Sequence, residues 1–265
     1  LTKQIPDSAV ISSTVEVRVG QIVVGRMQHV ESSSKEKFGG MDLAYGSIRP
    51  ANKIFLTGHK SDDGSNLHVA ILNPNDGFIE VEVEVFGNSD FLLEPRKVAL
   101  RAFQRQVLKL DIPDQNSFGV EVRSLDGEPL VASLINILEV SSDNQKLLTG
   151  VTTRSGVALG STGWKFSIDD AVKNQSFLSV FNPSLETIST LSFSIEGKSL
   201  PREIPDLIEL DALEFLSFLL PPGDRITLNM NSTTPVIAGL FTKTPDGISE
   251  KNGLVVSGEA GFPPQ

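Results

Sequence analysis

Two segments of this chain gather hard oxygen ligands at close spacing. GHKSDDGSNLH carries His59, Asp62, Asp63, Ser65, Asn66 and His68, and SIDDAVKNQS carries a second acid pair, Asp169 and Asp170. Calcium takes roughly six to eight oxygen ligands, so Asp62, Asp63, Asp169 and Asp170 are the candidates for a Ca2+ site, and calcium is the single cofactor suggested. The spacing is not that of an EF-hand, which needs an acid at every second position and a closing glutamate. An exposed polar loop leading into a strand is the plainer account of both segments. A basic cluster of Arg96, Lys97, Arg101 and Arg105 could meet an anionic glycan or teichoic-type polymer, with Arg101 and Arg105 as its contacts. Ordinary charge on a strand face explains the same residues. Trp164, the one tryptophan, reads as exposed and could stack on a sugar, because an indole offers a flat face and a polar handle.

Catalytic constellations do not assemble. Glu80, Glu82 and Glu84 alternate along one strand and share one solvated face, whereas glycoside chemistry needs two carboxyls facing each other across a cleft. No G-x-S-x-G elbow and no glycine-rich phosphate loop between strand and helix is present. The absence of cysteine removes disulfides, thiolate nucleophiles and Cys-based metal sites together. The chain reads as a non-enzyme.

Composition narrows the partners. The 265 residues include 33 acidic and 23 basic side chains, a formal net charge of −10, which argues against a nucleic-acid surface. Hydrophobic residues make up 39% and charged ones 21%, enough for a folded core. No apolar stretch approaches the roughly 18 residues of a membrane helix. The chain opens on Leu1 without a basic segment and apolar core, so any leader or anchor is expected to have been removed or never present. Phe occurs 15 times against one Tyr and one Trp, a pattern of core filling more than of an aromatic binding platform.

The elements that must carry these residues come from a long-period duplication. SNLHVAILNPNDGFIEVEVEVFG, Ser65 to Gly87, matches QSFLSVFNPSLETISTLSFSIEG, Gln175 to Gly197, with Asn73-Pro74 and Asn182-Pro183 lying 109 positions apart. FGVEVRSLDGEPLVASL, Phe118 to Leu134, matches RITLNMNSTTPVIAGL, Arg225 to Leu240, where Ala132 and Ala238 lie 106 positions apart. Thr14 to Met27, TVEVRVGQIVVGRM, reads like the tail of a further copy whose front half is missing. Within each copy the residues alternate: Ile79, Val81, Val83 and Val85 with glutamates, Leu191, Phe193 and Ile195 with serines, Val120 and Val122 with Glu121 and Arg123. A period of two with one apolar face predicts antiparallel strands, and Asn-Pro, Asp-Gly and Pro-Gly steps mark the turns between them. Asp206 to Leu220 is rich in helix formers, but its counterpart Val98 to Leu110 breaks into two apolar pieces, so both are expected to be strand, turn, strand. The Asn-Pro pairs are expected to be structural: the asparagine side chain bonds nearby backbone and proline ends the strand.

The aromatic-apolar step at Ile54-Phe55 and Trp164-Lys165-Phe166 leads to a polar loop and then to a strand running into Asn-Pro. Alternating strands follow, and the closing run is Pro235-Val236-Ile237-Ala238-Gly239-Leu240. This pattern resembles the repeated β-sandwich units of an actinobacterial cell-envelope family of unknown function, often encoded beside glycosyltransferases. The likeness runs from about Val15 to Gly261. It implies export and a place at the cell surface, and it carries over no catalytic residue. Gly127-Glu128-Pro129 in one copy stands where Thr233-Thr234-Pro235 stands in the other, so that turn is not built the same way in both.

The expected architecture is therefore all-β: two tandem Ig-like β-sandwich modules of about 105 residues with a partial leading repeat. The first spans 1–156 and the second 157–265, and the residues before about Gly46 either complete the first sandwich or belong to a preceding unit. The expected function is a non-enzymatic structural or interaction module of a bacterial surface protein, extracellular or in the cell envelope, with envelope proteins or polysaccharide as partners. A glycan-binding accessory role in envelope polysaccharide assembly is the alternative.

Overall fold

A computed structural model describes residues 25–29, 41–45, 50–60, 65–87, 93–113, 117–142, 145–168, 175–197, 199–200, 204–220, 226–244, 247–251 and 254–255. These hold eighteen strands. They begin with β1 (Gly25–His29), β2 (Met41–Tyr45), β3 (Lys53–His59), β4 (Ser65–Leu72), β5 (Ile79–Gly87) and β6 (Arg96–Leu100). Next come β7 (Arg105–Leu110), β8 (Ser117–Ser124), β9 (Val131–Ser142), β10 (Gln145–Ser155), β11 (Ser161–Ile168) and β12 (Gln175–Phe181). The last are β13 (Ser189–Ile195), β14 (Leu207–Leu210), β15 (Phe215–Leu220), β16 (Ile226–Thr244), β17 (Gly247–Lys251) and β18 (Leu254–Val255). The protein is all-β, as the alternation predicts, and Asp206 to Leu220 forms β14, a turn and β15, not a helix. Among the described residues no helix is long and apolar enough to cross a membrane.

Two antiparallel sheets, ordered β10-β9-β4-β7 and β3-β8-β5-β6, face each other across a first core. The period of two decides which side chains fill it. Leu67, Val69 and Ile71 of β4 meet Ile79, Val81 and Val83 of β5 and Val120 and Val122 of β8. Burying each such side chain contributes roughly 1.5–3 kcal/mol. A second core lies under β11, β13 and β14 on one side and β12 and β15 on the other, with Leu178, Val180, Leu191, Leu228 and Met230 at its centre. Long β16 belongs to both of its sheets. Its first half pairs with β11 and β13, and its second half with β12 and β17. Around the first core the same course is split into β8 and β9 by a turn in which Gly127 takes the left-handed φ of 78°. The two turns are indeed built differently, since Ser232, Thr233 and Thr234 continue an extended strand where Gly127 bends the chain.

Pairing registers correspond across the two cores. Ile71 pairs with Ala132 and Val180 with Ala238, while Ile79 pairs with Leu100 and Ser189 with Leu210. Each Asn-Pro asparagine is fully buried and does the same work. Asn73 Nδ2 donates to the carbonyls of Gly77 at 2.8 Å and Arg101 at 2.9 Å, and its Oδ1 accepts from Asn75 N at 2.9 Å. Asn182 Nδ2 donates to Thr187 O at 2.7 Å and Asp211 O at 2.9 Å, and its Oδ1 accepts from Ser184 N at 3.1 Å. Each asparagine thus ties the end of its own strand to a turn about 28 residues later. Those turns place Phe103 and Leu213 at positive φ, 56° and 59°, a conformation that costs a non-glycine residue about 1 kcal/mol or more. The asparagine bonds to the turn carbonyls hold it, together with the bonds from Phe103 N to Asn75 O at 3.1 Å and from Leu213 N to Ser184 O at 3.0 Å.

Candidate functional site

The alternation that fills the cores also sets out what stands on their outer faces. On β3, β5 and β8 the outward positions are Lys53, Phe55, Thr57 and His59, then Glu82, Glu84 and Phe86, then Ser117, Gly119, Glu121 and Arg123. Phe55 and Phe86 therefore share a face with charged residues and need another cover. The second core's strands supply it. Phe181, at the end of β12, is fully buried with its ring centroid 6.1 Å from Phe55 and 5.0 Å from Phe86. Phe215, Ile237, Leu213 and Val157 complete this cluster. Gly119 is the floor of the socket: a Cβ there would lie 2.9 Å from Phe181 Cγ, so only a residue without a side chain admits the ring.

Polar groups continue the junction. His59 stacks on Phe177 with centroids 4.1 Å apart, lies 5.4 Å from Phe241, and shares a 2.6 Å hydrogen bond between Nδ1 and Ser117 Oγ. Arg154, 6% exposed, donates from Nη2 to Thr57 Oγ1 at 2.7 Å. Its guanidinium fills the space where a side chain on Gly239 would have to stand. Beyond the aromatic patch the same sheet face becomes a charge lattice. Arg123 is clasped by Glu82, Lys53 meets Glu121 at 3.0 Å, and Lys97 lies 3.8 Å from Glu82. The Glu82 hydrogen bond holds the Arg123 guanidinium above its ordinary pKa, against a smaller opposing effect of burial. Glu82 is only 8% exposed, which corrects the expectation that the three glutamates of β5 form one solvated face. Arg123 and Lys97 cover it.

Trp164 is not an exposed platform. It is 3% exposed, lies parallel to Phe166, and donates from Nε1 to Ser161 O at 3.1 Å and Val236 O at 3.2 Å. The residue sits on the inward parity of β11, so its indole fills the second core and its N–H finds strand carbonyls. The basic cluster is dispersed. Arg101 is exposed at the β6–β7 turn and Arg105 is half-buried where β7 begins, whereas Arg96, at the far end of β6, donates to Lys109 O and to Asp111. Asp62, Asp63, Asp169 and Asp170 lie outside the described residues. Among the described residues no group of three or more His, Asp or Glu side chains could hold a metal ion. The aromatic junction is what a reading of the sequence overlooks. Its signal was the parity of Phe86, which continues the Glu80, Glu82, Glu84 series and not the valine series.

No family model and no curated protein matches the chain. A solved structure described as "Crystal Structure of Thermotoga maritima 1070" is similar at 18% identity over 42% of this chain and 96% of its own, with a TM-score of 0.33. That likeness carries no argument about fold or function.

Proposed function

We propose that this chain is a run of Ig-like β-sandwich modules, 1–156 and 157–265, that acts without catalysis as a stiff structural or interaction segment of a bacterial cell-surface protein. The observation that carries the reading is the junction: Phe181 seated between Phe55 and Phe86 over Gly119, flanked by the His59–Phe177 stack. A hinge for domain closure would be polar and sparsely packed. Here neighbouring cores share aromatic side chains buried on both sides, so force and orientation pass from one to the next. Corresponding registers and the twin Asn73 and Asn182 networks support the tandem reading. The β1–β2 pairing of Gly25 with Tyr45 matches that of Ser133 with Ser155 in β9–β10, which supports a leading partial repeat. Surface location, with extracellular or envelope partners, rests on the resemblance to cell-envelope repeat units.

Small-angle scattering of the whole chain tests the stiffness. An extended particle of fixed dimensions from low to high salt is expected, and a distribution of flexed shapes would refute the reading. Co-sedimentation with envelope polysaccharide, with and without calcium, separates a spacer from a glycan binder. The spacer reading expects no saturable binding. Binding that survives salt would replace it with the accessory role in polysaccharide assembly, and dependence on calcium would direct mutation to the Asp-rich loops.

A further inference from the structure

The face that makes the junction has a counterpart one repeat earlier. Phe177 and Phe181 of β12, with Ile237 and Phe241 of β16, point away from the second core and seat on β3 and β8. Equal registers put Leu72 where Phe181 stands, Val131 where Ile237 stands and Ile135 where Phe241 stands. Phe103 corresponds to Leu213, and half-buried Arg105 takes the place of Phe215.

This earlier face is covered. Ala70 and Ile135 have the outward parity of β4 and β9, yet they are only 4% and 7% exposed. Among the described hydrophobic residues, only Ile137 of the same face packs against them. A sheet face turned away from its own core becomes this dry under a further layer. The described part of the leading repeat shows where that layer comes from. β10 touches β2 of the leading hairpin, and it also touches β17, its own counterpart in the second core. Only residues 19–24 separate Arg18 from β1, the partner of β2, so a short tether delivers the segment before it to this side of the first core. That segment, Thr14-Val15-Glu16-Val17-Arg18, repeats Gly119-Val120-Glu121-Val122-Arg123 of β8, the strand on which Phe181 sits.

On the tandem-repeat reading proposed above, we infer that the outer face of β4 and β9 is a second plug, seated on residues 14–18 of the same chain with Leu72 over Thr14. Size supports the pairing. Phe181 needs a glycine beneath it, whereas the smaller Leu72 meets a threonine, so in each junction the larger plug residue goes with the smaller floor. The short tether keeps the segment at high effective concentration beside its own first core, ahead of any second copy. The first core is then gripped twice by one kind of contact, head to tail, which is how stacked repeats propagate.

The cysteine-free chain lets the contact be read as a cross-link. At the described junction a Cβ on residue 119 would lie 2.9 Å from Phe181 Cγ, one bond from the Phe181 Cβ. The two Cβ atoms are then within about 4.5 Å, the range of a disulfide. In the full chain, Thr14→Cys with Leu72→Cys should close an intramolecular disulfide on mild oxidation, read as loss of both thiols in a monomer. Val15→Cys with Leu72→Cys should stay reduced, because Val15 has the opposite parity. Gly119→Cys with Phe181→Cys is the reference and should close. If the reference closes while the Thr14 and Leu72 pair stays open, or links only two copies, the inference is overturned and the junction stands. If the reference stays open too, the tandem reading falls with it. Equal cross-linking through Val15 would also overturn the inference. Leu72→Asp needs no cysteine: hydrogen exchange over residues 14–18 should quicken about tenfold or more while residues 117–124 keep the wild-type rate. Unchanged exchange over 14–18 would refute the seat.

Discussion

The ring of Phe181 lies against the backbone of Gly119, on a strand that belongs to the other core, closely enough that a Cβ at Gly119 would stand 2.9 Å from Phe181 Cγ. Glycine is needed there for close approach, and not for its freedom of φ. Gly119→Val is expected to lift Phe181 from between Phe55 and Phe86 and to cost about 1–3 kcal/mol of stability, as overpacking does. The urea midpoint should fall, and scattering should report a less fixed particle. A variant with unchanged midpoint and unchanged scattering would show that the junction is not close-packed.

Asn73 and Asn182 are fully buried and each spans a strand end and a distant turn. Replacing either with alanine removes the donor to one buried carbonyl, Leu100 or Leu210, and to two part-buried turn carbonyls, at about 1–3 kcal/mol for a buried group left unsatisfied. Asn73→Ala and Asn182→Ala should each lower stability measurably. Each should also speed hydrogen exchange at its own turn, near Phe103 in one case and Leu213 in the other. The left-handed residues are also tied by their own backbone, Phe103 N to Asn75 O at 3.1 Å and Leu213 N to Ser184 O at 3.0 Å, so the exchange should quicken without the turn being lost.

Trp164 provides its own probe. A 3% exposed indole should emit at short wavelength in the native protein and shift to the red on unfolding. Trp164→Ala should cost about 3–5 kcal/mol, the range for truncating a large buried aromatic. A red-shifted native emission would contradict its place in the second core.

The clasp between Arg96 and Asp111 predicts an acid-side effect. The hydrogen bond from Arg96 holds the Asp111 carboxyl below its ordinary pKa, outweighing a small opposing effect of burial, with Lys109 adding to the lowering. A depressed folded-state pKa stabilises the fold above the unfolded value, and the contribution disappears as pH falls through the folded one. Asp111→Asn should therefore melt below the wild type at pH 6 by a small margin, because the pair is exposed. The gap should close below about pH 4, as the wild-type carboxyl takes up its proton. A gap that widens in acid would reverse the sign and remove the clasp as its source.

Alternation along the chain was enough to determine the strands, their inward faces and the all-β class, because a period of two assigns every side chain to core or surface without knowledge of the partner strand. It also determined the strand–turn–strand course of Asp206 to Leu220, through its likeness to Val98 to Leu110, and the structural role of the Asn-Pro pairs. Burial of Trp164 follows the same parity rule, since the indole shares the inward face of its strand with Phe166. What only the tertiary structure decided is which outward faces meet. Phe55, Phe86, Gly119 and Phe181 are spread over about 126 positions, and no local pattern says that the first three form a socket for the fourth. The same holds for Glu82, whose charge looks solvated until Arg123 and Lys97 are seen above it. Periodicity is a property of one strand and its neighbours, whereas contact between sheets depends on how twisted faces come together in space, and that information lies in no single segment.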